Sequence, residues 1–451
     1  MEQKSGQQLL IGIDQKISVR QSILLGVQHV LAMDLYLLPI IIAGILGFSK
    51  MDTSFLIQMS FLAAGVATLI QTGFGMKLPI VQGPSYVPIG ALTAIGSKLG
   101  LGAMVGSLIP GAILLAILGY PLRVFAKAVK KFIPSIVGGT VIVVVGFSLM
   151  PVAFNNIVQS KGSFGTNSIV ALVSGGLVVA SMMIGSSLKK RAGFFIRLTS
   201  VIIGLVGGTI TASFFGVVDF SPVAAASWIS LPQFFPFGAP VFDFNAMLTM
   251  IFIYLIILVE TTGTWFVVGA VTDSKLTEER LNRGAVGEGI GCFIGSLFGG
   301  TPMTGYSSNA GIIAVTGVGS KRAIMASGAI LVILGLIPKL STIIACIPEA
   351  VINGVFAIVC IVIAMNGFRV IQNEKMDERN MMIIGIPLFL TVATMILPKD
   401  VLSSFPPLLN YIFSSGTAVG AIATVLLNII IPIRKPSPNE VMGTHNATLQ
   451  K

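Results

Sequence analysis

The chain has 451 residues, of which 54% are hydrophobic and only 10% are charged, and it carries a formal net charge of +11. A soluble domain carries about 25% charged residues, so this composition excludes a water-soluble globule and indicates a membrane protein. The positive charges stand in short loops between apolar segments rather than in basic–aromatic arrays, which excludes nucleic acid as a partner and favours membrane lipids.

Apolar segments follow one another along the chain, and most are long enough to cross a hydrocarbon core of about 30 Å as a helix. The first is too long for the core of a cleavable signal, so we expect it to be retained as a span. The fourteen predicted spans are 22–47, 54–76, 80–97, 102–120, 134–152, 167–187, 198–216, 244–270, 285–300, 302–317, 323–338, 347–367, 381–397 and 416–433. They predict an all-α polytopic membrane protein.

Lysine and arginine predict the orientation, because cytoplasmic loops are enriched in them. With the N-terminus inside, alternate loops hold nearly all of the 28 Lys and Arg residues. The predicted outside set is Lys50, Lys98, Lys161, Lys339 and Lys399. The basic runs 123–132 and 188–197 are then predicted cytoplasmic loops. The ends, 1–21 and 434–451, are predicted to be cytoplasmic, 217–243 is a predicted outside connection, and we expect the protein in the plasma membrane.

The two halves of the chain resemble each other. The segment "SYVPIGALTAIGSK" (85–98) aligns without gaps on "SNAGIIAVTGVGSK" (308–321), with seven identities in fourteen positions. The first copy lies in the third predicted span and the second in the tenth, so the two cross the membrane in opposite directions. This pattern predicts inverted seven-span repeats at 22–216 and 244–433, with a binding site where they meet.

Both aligned segments contain stretches rich in glycine, proline and hydroxyl side chains, "VQGPSYVP" (81–88) and "GGTPMTGYSSN" (299–309). Extended backbone inside a membrane leaves N–H and C=O groups that each cost several kcal/mol unless protein, water or ligand satisfies them. We expect an extended break followed by a half-helix in each span, with a polar solute between the two. The alternative is a pair of kinked helices packed through small residues.

Few ionisable groups lie inside the predicted spans. A carboxylate at the middle of a span costs about 2.5–3.5 kcal/mol on insertion scales, so we expect Glu260 to face a cavity where it accepts a proton or a hydrogen bond. Glu288 is a second such carboxyl group. His29, beside Gln28, lies in the first span, and Asp34 follows five residues later. For each of these groups a purely structural role is the alternative.

Nothing in the sequence indicates an enzyme or a cofactor. Cys292, Cys346 and Cys360 stand in apolar surroundings without CxxC spacing or a Cys/His cluster, so we interpret them as reduced packing residues and predict no metal site. The chain has no P-loop. Transport driven by an ion gradient is the class of function that remains.

Five motifs carry a resemblance to a known family. They are "GVQHVLAM" (26–33), "VQGPSYVPIG" (81–90), "LVETTG" (258–263), "RGAVGEGIG" (283–291) and "SSNAGIIAVTG" (307–317). Together they resemble the nucleobase–ascorbate transporter family, also called the xanthine/uracil permeases. The last motif fits the family signature of Asn-x-Gly followed after four residues by Thr and Lys, Arg or Gly.

The resemblance implies a core domain (spans 1–4 and 8–11) that carries the substrate against a gate domain (spans 5–7 and 12–14). A nucleobase would lie between the breaks in spans 3 and 10, with Glu260 on its ring N–H groups and backbone N–H groups near Tyr86 and Ser308 on its carbonyls. The predicted substrate-binding set is Glu260, Ser308, Asn309, Tyr86, Thr264 and Gly311. The predicted set for proton coupling or site geometry is Glu288, His29, Gln28 and Asp34.

The substrate stays open at this point. Ser308 stands where the family signature has Gln, Glu or Pro, and its short side chain leaves space that favours a purine such as xanthine or urate over uracil. We expect proton symport and a homodimer. The alternatives are a uracil permease of the same family, or an anion transporter or channel of the same inverted-repeat architecture, in which Glu260 would repel the substrate. A non-transporting scaffold is disfavoured by the polar breaks.

Overall fold

The computed structural model describes residues 9–31, 33–188, 191–372 and 374–432. The first eight residues of the predicted cytoplasmic N-terminal segment and the predicted cytoplasmic tail at 434–451 lie outside the described residues. The described ranges are mostly helical, with one two-stranded sheet.

The elements of the first half are α1 (Val19–Leu31), α2 (Leu37–Leu46), α3 (Lys50–Gly73), β1 (Gln82–Pro84), α4 (Ile89–Leu99), α5 (Leu101–Gly119), α6 (Phe125–Phe132), α7 (Ser135–Gln159), α8 (Phe164–Ser187), α9 (Arg191–Leu198), α10 (Ser200–Phe214) and α11 (Ser221–Ala225). Those of the second half are α12 (Phe244–Val271), α13 (Glu278–Leu297), β2 (Met303–Gly305), α14 (Ser307–Thr316), α15 (Lys321–Leu334), α16 (Pro338–Ala345), α17 (Glu349–Ile371), α18 (Glu378–Met395), α19 (Lys399–Ser403), α20 (Pro407–Phe413) and α21 (Gly416–Ile430).

Several long helices begin at side chains that satisfy their first backbone N–H groups. Ser49 accepts the N–H of Asp52 at the start of α3, and Asp243 accepts that of Ala246 at the start of α12. Thr277 does the same for α13. Such N-caps supply a partner for one of the four N–H groups that a helix leaves unpaired at its start.

Fewer than fourteen helices are long enough to span a membrane. Within the described ranges, six helices are long and apolar enough to cross a membrane, or up to eight if each strongly bent pair counts as one span. The bent pairs are α9 with α10, at 62°, and α15 with α16, at 83°. The helices of the remaining predicted spans are too short or too polar to meet these criteria, so neither the count of fourteen nor the inverted repeat is confirmed by helix length.

Three predicted elements differ from the structure. The predicted span 22–47 is two helices, α1 and α2, because Pro39 is tolerated in the first turn of α2 but would clash with the backbone of a helix continuing from α1. The predicted loops 123–132 and 188–197 contain the short helices α6 and α9. In α6 the side chains of Phe125, Ala126 and Val129 are buried, which explains why this basic run is helical.

The two predicted breaks are confirmed, and they face each other. Strand β1 pairs antiparallel with β2, with Gln82 opposite Gly305 and Pro84 opposite Met303. Each strand leads into a short helix, α4 or α14. The backbone ladder continues beyond the strands through the N–H of Tyr306, which donates to the carbonyl of Val81 at 3.0 Å.

Threonine hydroxyls from two flanking helices satisfy the backbone of this crossing. On α3, Thr68 Oγ1 accepts the N–H of Gln82 at 2.9 Å, and Thr72 Oγ1 donates to the carbonyl of Ile80 at 3.1 Å. On α12, Thr261 Oγ1 accepts the N–H of Gly305 at 3.1 Å, and Thr264 Oγ1 donates to the carbonyl of that glycine at 3.0 Å. The helices therefore replace the hydrogen bonds that water would supply outside a membrane.

The helices form two packed groups. In the first group, α3 packs on α13 and α15, α5 packs on α13, and α1 packs on α15. In the second group, α17 packs on α7 and α8. Helices α18 and α21 pack on each other, and both also pack on α7. Close contact depends on small residues: a Cβ on Gly65 would lie 2.6 Å from the carbonyl oxygen of Gly328, and one on Gly146 would lie 2.6 Å from the amide nitrogen of Ala364. Helix α12 contacts both groups.

The threonine contacts lead to a prediction about the stability of the protein. Thr68→Val removes the acceptor for the Gln82 N–H and leaves that buried group unpaired, which we expect to destabilise the protein by about 1–3 kcal/mol. A melting curve followed by size-exclusion chromatography in detergent measures the effect. The matched control is Thr209→Val, because Thr209 Oγ1 donates only to the carbonyl of Leu205 within its own helix. Equal melting temperatures for both variants would contradict the role of the threonine contacts.

Candidate functional site

A small polar pocket lies where the strands end and α14 begins. This central pocket has a volume of about 60 Å³. Its wall is formed by Asp34, Tyr86, Ile142, Glu260, Thr264, Thr304, Gly305, Tyr306, Ser307, Ser308, Val359, Val362, Ile363 and Asn366. The polar residues come from the α1–α2 connection, the two breaks, the start of α14 and α12, together with Asn366 of α17, whereas the aliphatic ones come from α7 and α17 of the second group.

Glu260 presents a carboxylate to the central pocket. It lies in the middle of α12, where the helix passes the strand crossing, and is 8% exposed. Ser85 Oγ, on the connection from β1 to α4, donates to Glu260 Oε2 at 2.9 Å. The hydroxyl of Ser85 also accepts the N–H of Val87 at 3.2 Å. The carboxylate is thus held in place and can accept a hydrogen bond from a solute.

A second carboxyl group enters from the α1–α2 connection. Tyr86 Oη donates to Asp34 Oδ2 at 2.7 Å. The ring of Tyr86 stacks on that of Phe356 in α17, with centroids 5.6 Å apart and planes 24° from parallel. Asp34 therefore pairs with the third predicted span and not with His29. Tyr86 connects the break of the first helix group to the second group.

The start of α14 forms the side of the pocket that can donate hydrogen bonds. Ser307 and Ser308 are its first two residues, both in the pocket wall, and no side chain caps the helix N-terminus. Ser308 Oγ lies 3.3 Å from Met33 Sδ. A helix start without a side-chain cap exposes backbone N–H groups, which suits a carbonyl oxygen or an anion.

Glu288 lies behind the pocket and does not line it. It is 1% exposed on α13, and Gln71 Nε2 donates to Glu288 Oε2 at 3.1 Å. Thr261 and Gln82 lie beside it, and it is close enough to Glu260 for the two to interact electrostatically. Among the described residues, neither atom of the Gln82 side-chain amide has a hydrogen-bond partner. A polar cluster therefore extends from Glu260 into the first helix group.

The sequence analysis did not single out three members of this cluster, Gln71, Gln82 and Ser85. The sequence does contain a signal for Gln71, because its amide side chain stands alone in the apolar run "VATLIQTG" (66–73) of α3. Gln82 and Ser85 were quoted within the predicted break, but nothing in the sequence shows which of its polar side chains face Glu288 and Glu260.

Two predicted side chains lie away from the central pocket. Asn309 is fully buried, and its Nδ2 donates to the carbonyl of Pro79 at 2.5 Å. Asn309 does not cap α14, since the N-cap position is Tyr306 and no side chain bonds there. His29 is buried beside Asn309. Both residues hold the elements around the crossing together rather than line the pocket.

Two further predicted residues are also outside the pocket wall. Gln28 is partly buried on α1 and lines none of the cavities described here. Gly311 lines a neighbouring cavity of about 530 Å³, the access cavity, which lies between α12 and α14 of the first group and α17 of the second. The access cavity and the central pocket share Ser307 and Asn366 in their walls. The two cavities are therefore adjacent.

A bundle of membrane helices with a polar pocket at the crossing of two broken segments defines a secondary transporter. The sequence profile of a family described as a permease family, that of the xanthine/uracil permeases, matches residues 20–400. The chain belongs to this family, the nucleobase–ascorbate transporters, and is a permease and not an enzyme.

The sequences of similar proteins support this family assignment. The chain is 32% identical to the uric acid permease PucK of Bacillus subtilis (strain 168), over 93% of this chain and 98% of that protein. It is also 32% identical to the xanthine permease of the same organism, over 90% and 92% of the two chains.

Solved structures share the fold at low sequence identity. The transmembrane domain of the cyanobacterial bicarbonate transporter BicA matches with a TM-score of 0.62 at 17% identity, covering 84% of this chain and 97% of that one. Murine Slc26a9, an anion transporter in the inward-facing state, matches with a TM-score of 0.61 at 13% identity, covering 92% and 69%. These similarities show the membrane-protein fold alone.

The hydrogen bond between Tyr86 and Asp34 leads to a second prediction about stability. Tyr86→Phe retains the ring stack on Phe356 but leaves the Asp34 carboxyl group without its donor, which we expect to cost about 1–3 kcal/mol of stability. Thermal unfolding in detergent measures this change. Tyr411→Phe is the control, because Tyr411 is also buried, Lys98 Nζ lies 5.5 Å from the centroid of its ring, and its hydroxyl forms no hydrogen bond to a carboxyl group among the described residues. An unchanged melting temperature for Tyr86→Phe would contradict the contact.

Proposed function

We propose that the protein takes up a purine nucleobase, xanthine or urate, across the plasma membrane by proton symport. Family membership and the similarity to uric acid and xanthine permeases support a nucleobase as the substrate. The termini lie in the cytoplasm in this proposal, as the distribution of Lys and Arg predicts.

One observation carries the proposal: the central pocket has an acceptor and donors on different walls. Glu260 supplies carboxylate oxygens, and the start of α14 at Ser307 and Ser308 supplies backbone N–H groups. Purine rings with carbonyl groups present adjacent N–H donors and C=O acceptors along one edge. We therefore assign Glu260 to the ring N–H groups and the α14 start, with backbone near Tyr86, to the ring carbonyls.

The proposal includes a change of shape on binding. The central pocket, at about 60 Å³, is smaller than the range of about 300–1,000 Å³ that is common for ligand sites. The access cavity supplies about 530 Å³ beside it. We propose that the substrate enters through the access cavity and that displacement of α17 relative to α12 widens the pocket around the ring.

The two helix groups supply the parts for alternating access. In this proposal the first group is the substrate-carrying core and the second is the gate. A further cavity of about 360 Å³ lies between the groups on the side of Lys50 and Lys161, which are predicted to be outside. The access cavity lies near the ends of α12 and α17, which are predicted to be inside. Rocking of one group against the other would open these cavities in turn.

Proton coupling is assigned to Glu288. It is buried, lies close to Glu260, and has Gln71 and Thr261 beside it. Buried acidic groups next to a transport site serve as proton relays in membrane transporters. A proton held by Glu288 would change the charge that surrounds Glu260 and so couple substrate binding to proton binding. His29, Gln28 and Asp34 are assigned to site geometry, since none contacts Glu260 or Glu288.

Uptake into cells that express the protein tests this function. Labelled xanthine and labelled urate should accumulate against a gradient, and a protonophore should abolish the accumulation. Accumulation of uracil alone would identify the uracil permease instead. Accumulation that depends on sodium and resists the protonophore would contradict proton symport.

Glu260→Gln is the sharpest test of the binding site. The substitution retains the size of the side chain but removes the charge that accepts the ring N–H groups. We expect expression to be unchanged and uptake to fall at least about tenfold, which corresponds to about 1.4 kcal/mol. Glu279→Gln is the matched control, because the Glu279 side chain is 79% exposed and pairs only with Arg283 among the described residues. Uptake at the control rate by a well-expressed Glu260→Gln variant would refute the assignment.

Ser308→Gln tests the preference for purines. The longer amide fills space in the pocket wall and adds a donor and an acceptor beside the ring. We expect the ranking of unlabelled bases in a competition panel to change, because hydrogen-bond mismatches in a dry site discriminate more strongly than lost volume. Ser213→Gln is the matched control, because Ser213 is exposed and its Oγ donates to the carbonyl of Ile210 within its own helix. An unchanged ranking with intact uptake would show that Ser308 does not contact the substrate.

A further inference from the structure

An apolar groove opens on the side of the protein between the two helix groups. This seam groove has a volume of about 350 Å³, and every residue in its wall is apolar. The wall is formed by α5 and α12 of the first group, by α21 of the second, and by α6, which connects α5 to α7. Several wall residues are half exposed, including Leu426 and Ile429. Within a membrane the occupant of such a groove is a hydrocarbon chain, since water finds no polar partner there.

One end of the seam groove is bordered by the basic helix α6. Val124, Ala128 and Phe132 lie one turn apart along the groove wall, and Lys127 and Lys131 flank this stripe. Both lysines are exposed, and neither forms an ion pair with a described carboxylate. The Nζ atom of Lys131 lies 5.0 Å from the centroid of the Phe132 ring. A positive charge is thus fixed at the mouth of the groove.

The remaining lysine of α6 has a different environment. Lys130 Nζ lies 2.5 Å from Glu278 Oε1, and this contact lowers the pKa of the Glu278 carboxyl group. Lys130 is therefore paired within the protein, whereas Lys127 attracts the same Glu278 carboxylate only at longer range and Lys131 forms no ion pair with a described carboxylate. This division provides an internal comparison within one helix.

A guanidinium group borders the same end of the groove. Arg379 Nη2 donates to the carbonyl of Asn428 at 2.9 Å, and Asn428 Nδ2 donates to the carbonyl of Phe132 at 3.4 Å. Arg379 is partly buried, and its hydrogen-bond partners are carbonyl and amide oxygens rather than carboxylates. Its charge, like that of Lys131, is not balanced by a described acidic side chain.

We propose that the seam groove binds one anionic diacyl phospholipid. An acyl chain lies along the wall between α12 and α21, and the phosphate lies beside Lys131 with Lys127 and Arg379 in reach. The acyl chain alone gives no selectivity, because bulk lipid is as apolar as the groove. Selectivity comes from the headgroup charge, since basic residues near an anionic leaflet attract its lipids.

The location gives this lipid a means to regulate the protein. The groove wall joins α12 and α21, which belong to helix groups that move against each other in the proposed function. A chain bound across this seam favours the arrangement in which the groove is open to the bilayer. Lipid binding itself does not depend on the proposed function, and the experiment below measures binding without transport.

Native mass spectrometry of the full chain in detergent tests the proposal. Palmitoyl-oleoyl phosphatidylglycerol or palmitoyl-oleoyl phosphatidylcholine is added, and retained lipids are counted at increasing collision energy. We expect the wild type to retain one phosphatidylglycerol more firmly than phosphatidylcholine. In Lys127→Gln/Lys131→Gln we expect about tenfold weaker retention of phosphatidylglycerol, because each lost cation weakens attraction to an anionic headgroup. The charge-matched control is Lys16→Gln/Lys375→Gln, at two other exposed lysines.

A second variant tests the groove apart from its charges. Ala128→Trp places a large side chain in the groove wall, and we expect it to displace the retained phosphatidylglycerol while the lysines remain. Equal retention by wild type, the Lys127→Gln/Lys131→Gln variant and Ala128→Trp would overturn the proposal. A loss of dimer mass in Ala128→Trp without a change in lipid retention would also overturn it, because a second copy of the chain would then occupy the groove.

Discussion

Extended backbone inside a membrane is the constraint on which the rest of this structure depends. Two short strands cross within the bundle, and their N–H and C=O groups cannot be left without partners in a medium that excludes water. The strands pair with each other, and hydroxyl groups of Thr68 and Thr72 on one side and Thr261 and Thr264 on the other complete the set. The flanking helices α3 and α12 are therefore part of the candidate site as well as of the scaffold.

The same crossing concentrates the polar chemistry of the protein. Because each strand leads into a short helix, the start of α14 comes to lie next to the middle of α12, where Glu260 stands. The polar side chains that satisfy one another, such as Ser85 with Glu260 and Gln71 with Glu288, hold the carboxyl groups in fixed positions. An arrangement of donors and acceptors that suits a polar solute follows from the need to satisfy a broken span.

The interfaces within each helix group differ from the interface between the two groups. Within each group the helices approach closely through small residues such as Gly65 and Gly146, where a larger side chain would meet backbone atoms. Between the groups the contacts surround cavities, among them the access cavity and the seam groove. Tight packing within groups and open space between them are the properties that rigid-body movement of one group against the other requires.

Much of the class of this protein could be predicted from the sequence. Its composition requires a membrane environment, the motifs from residue 26 to 317 indicate the family, and glycine and proline in the stretches 81–88 and 299–309 predict breaks that the structure contains. These features are local, because hydropathy and backbone freedom depend on neighbouring residues in the chain. The break between α1 and α2 was missed, although Pro39 is a local signal for it.

The composition and local pattern of the sequence thus determined by themselves that the chain enters a membrane, which segments are apolar and where two of them are broken. Only the tertiary structure decided that Asp34 pairs with Tyr86, that Asn309 bonds to the carbonyl of Pro79 instead of capping α14, and that Gln71 reaches Glu288. These contacts join residues far apart in the chain. Hydrogen bonds depend on distance and direction in space, and neither is encoded in the spacing of residues along a sequence.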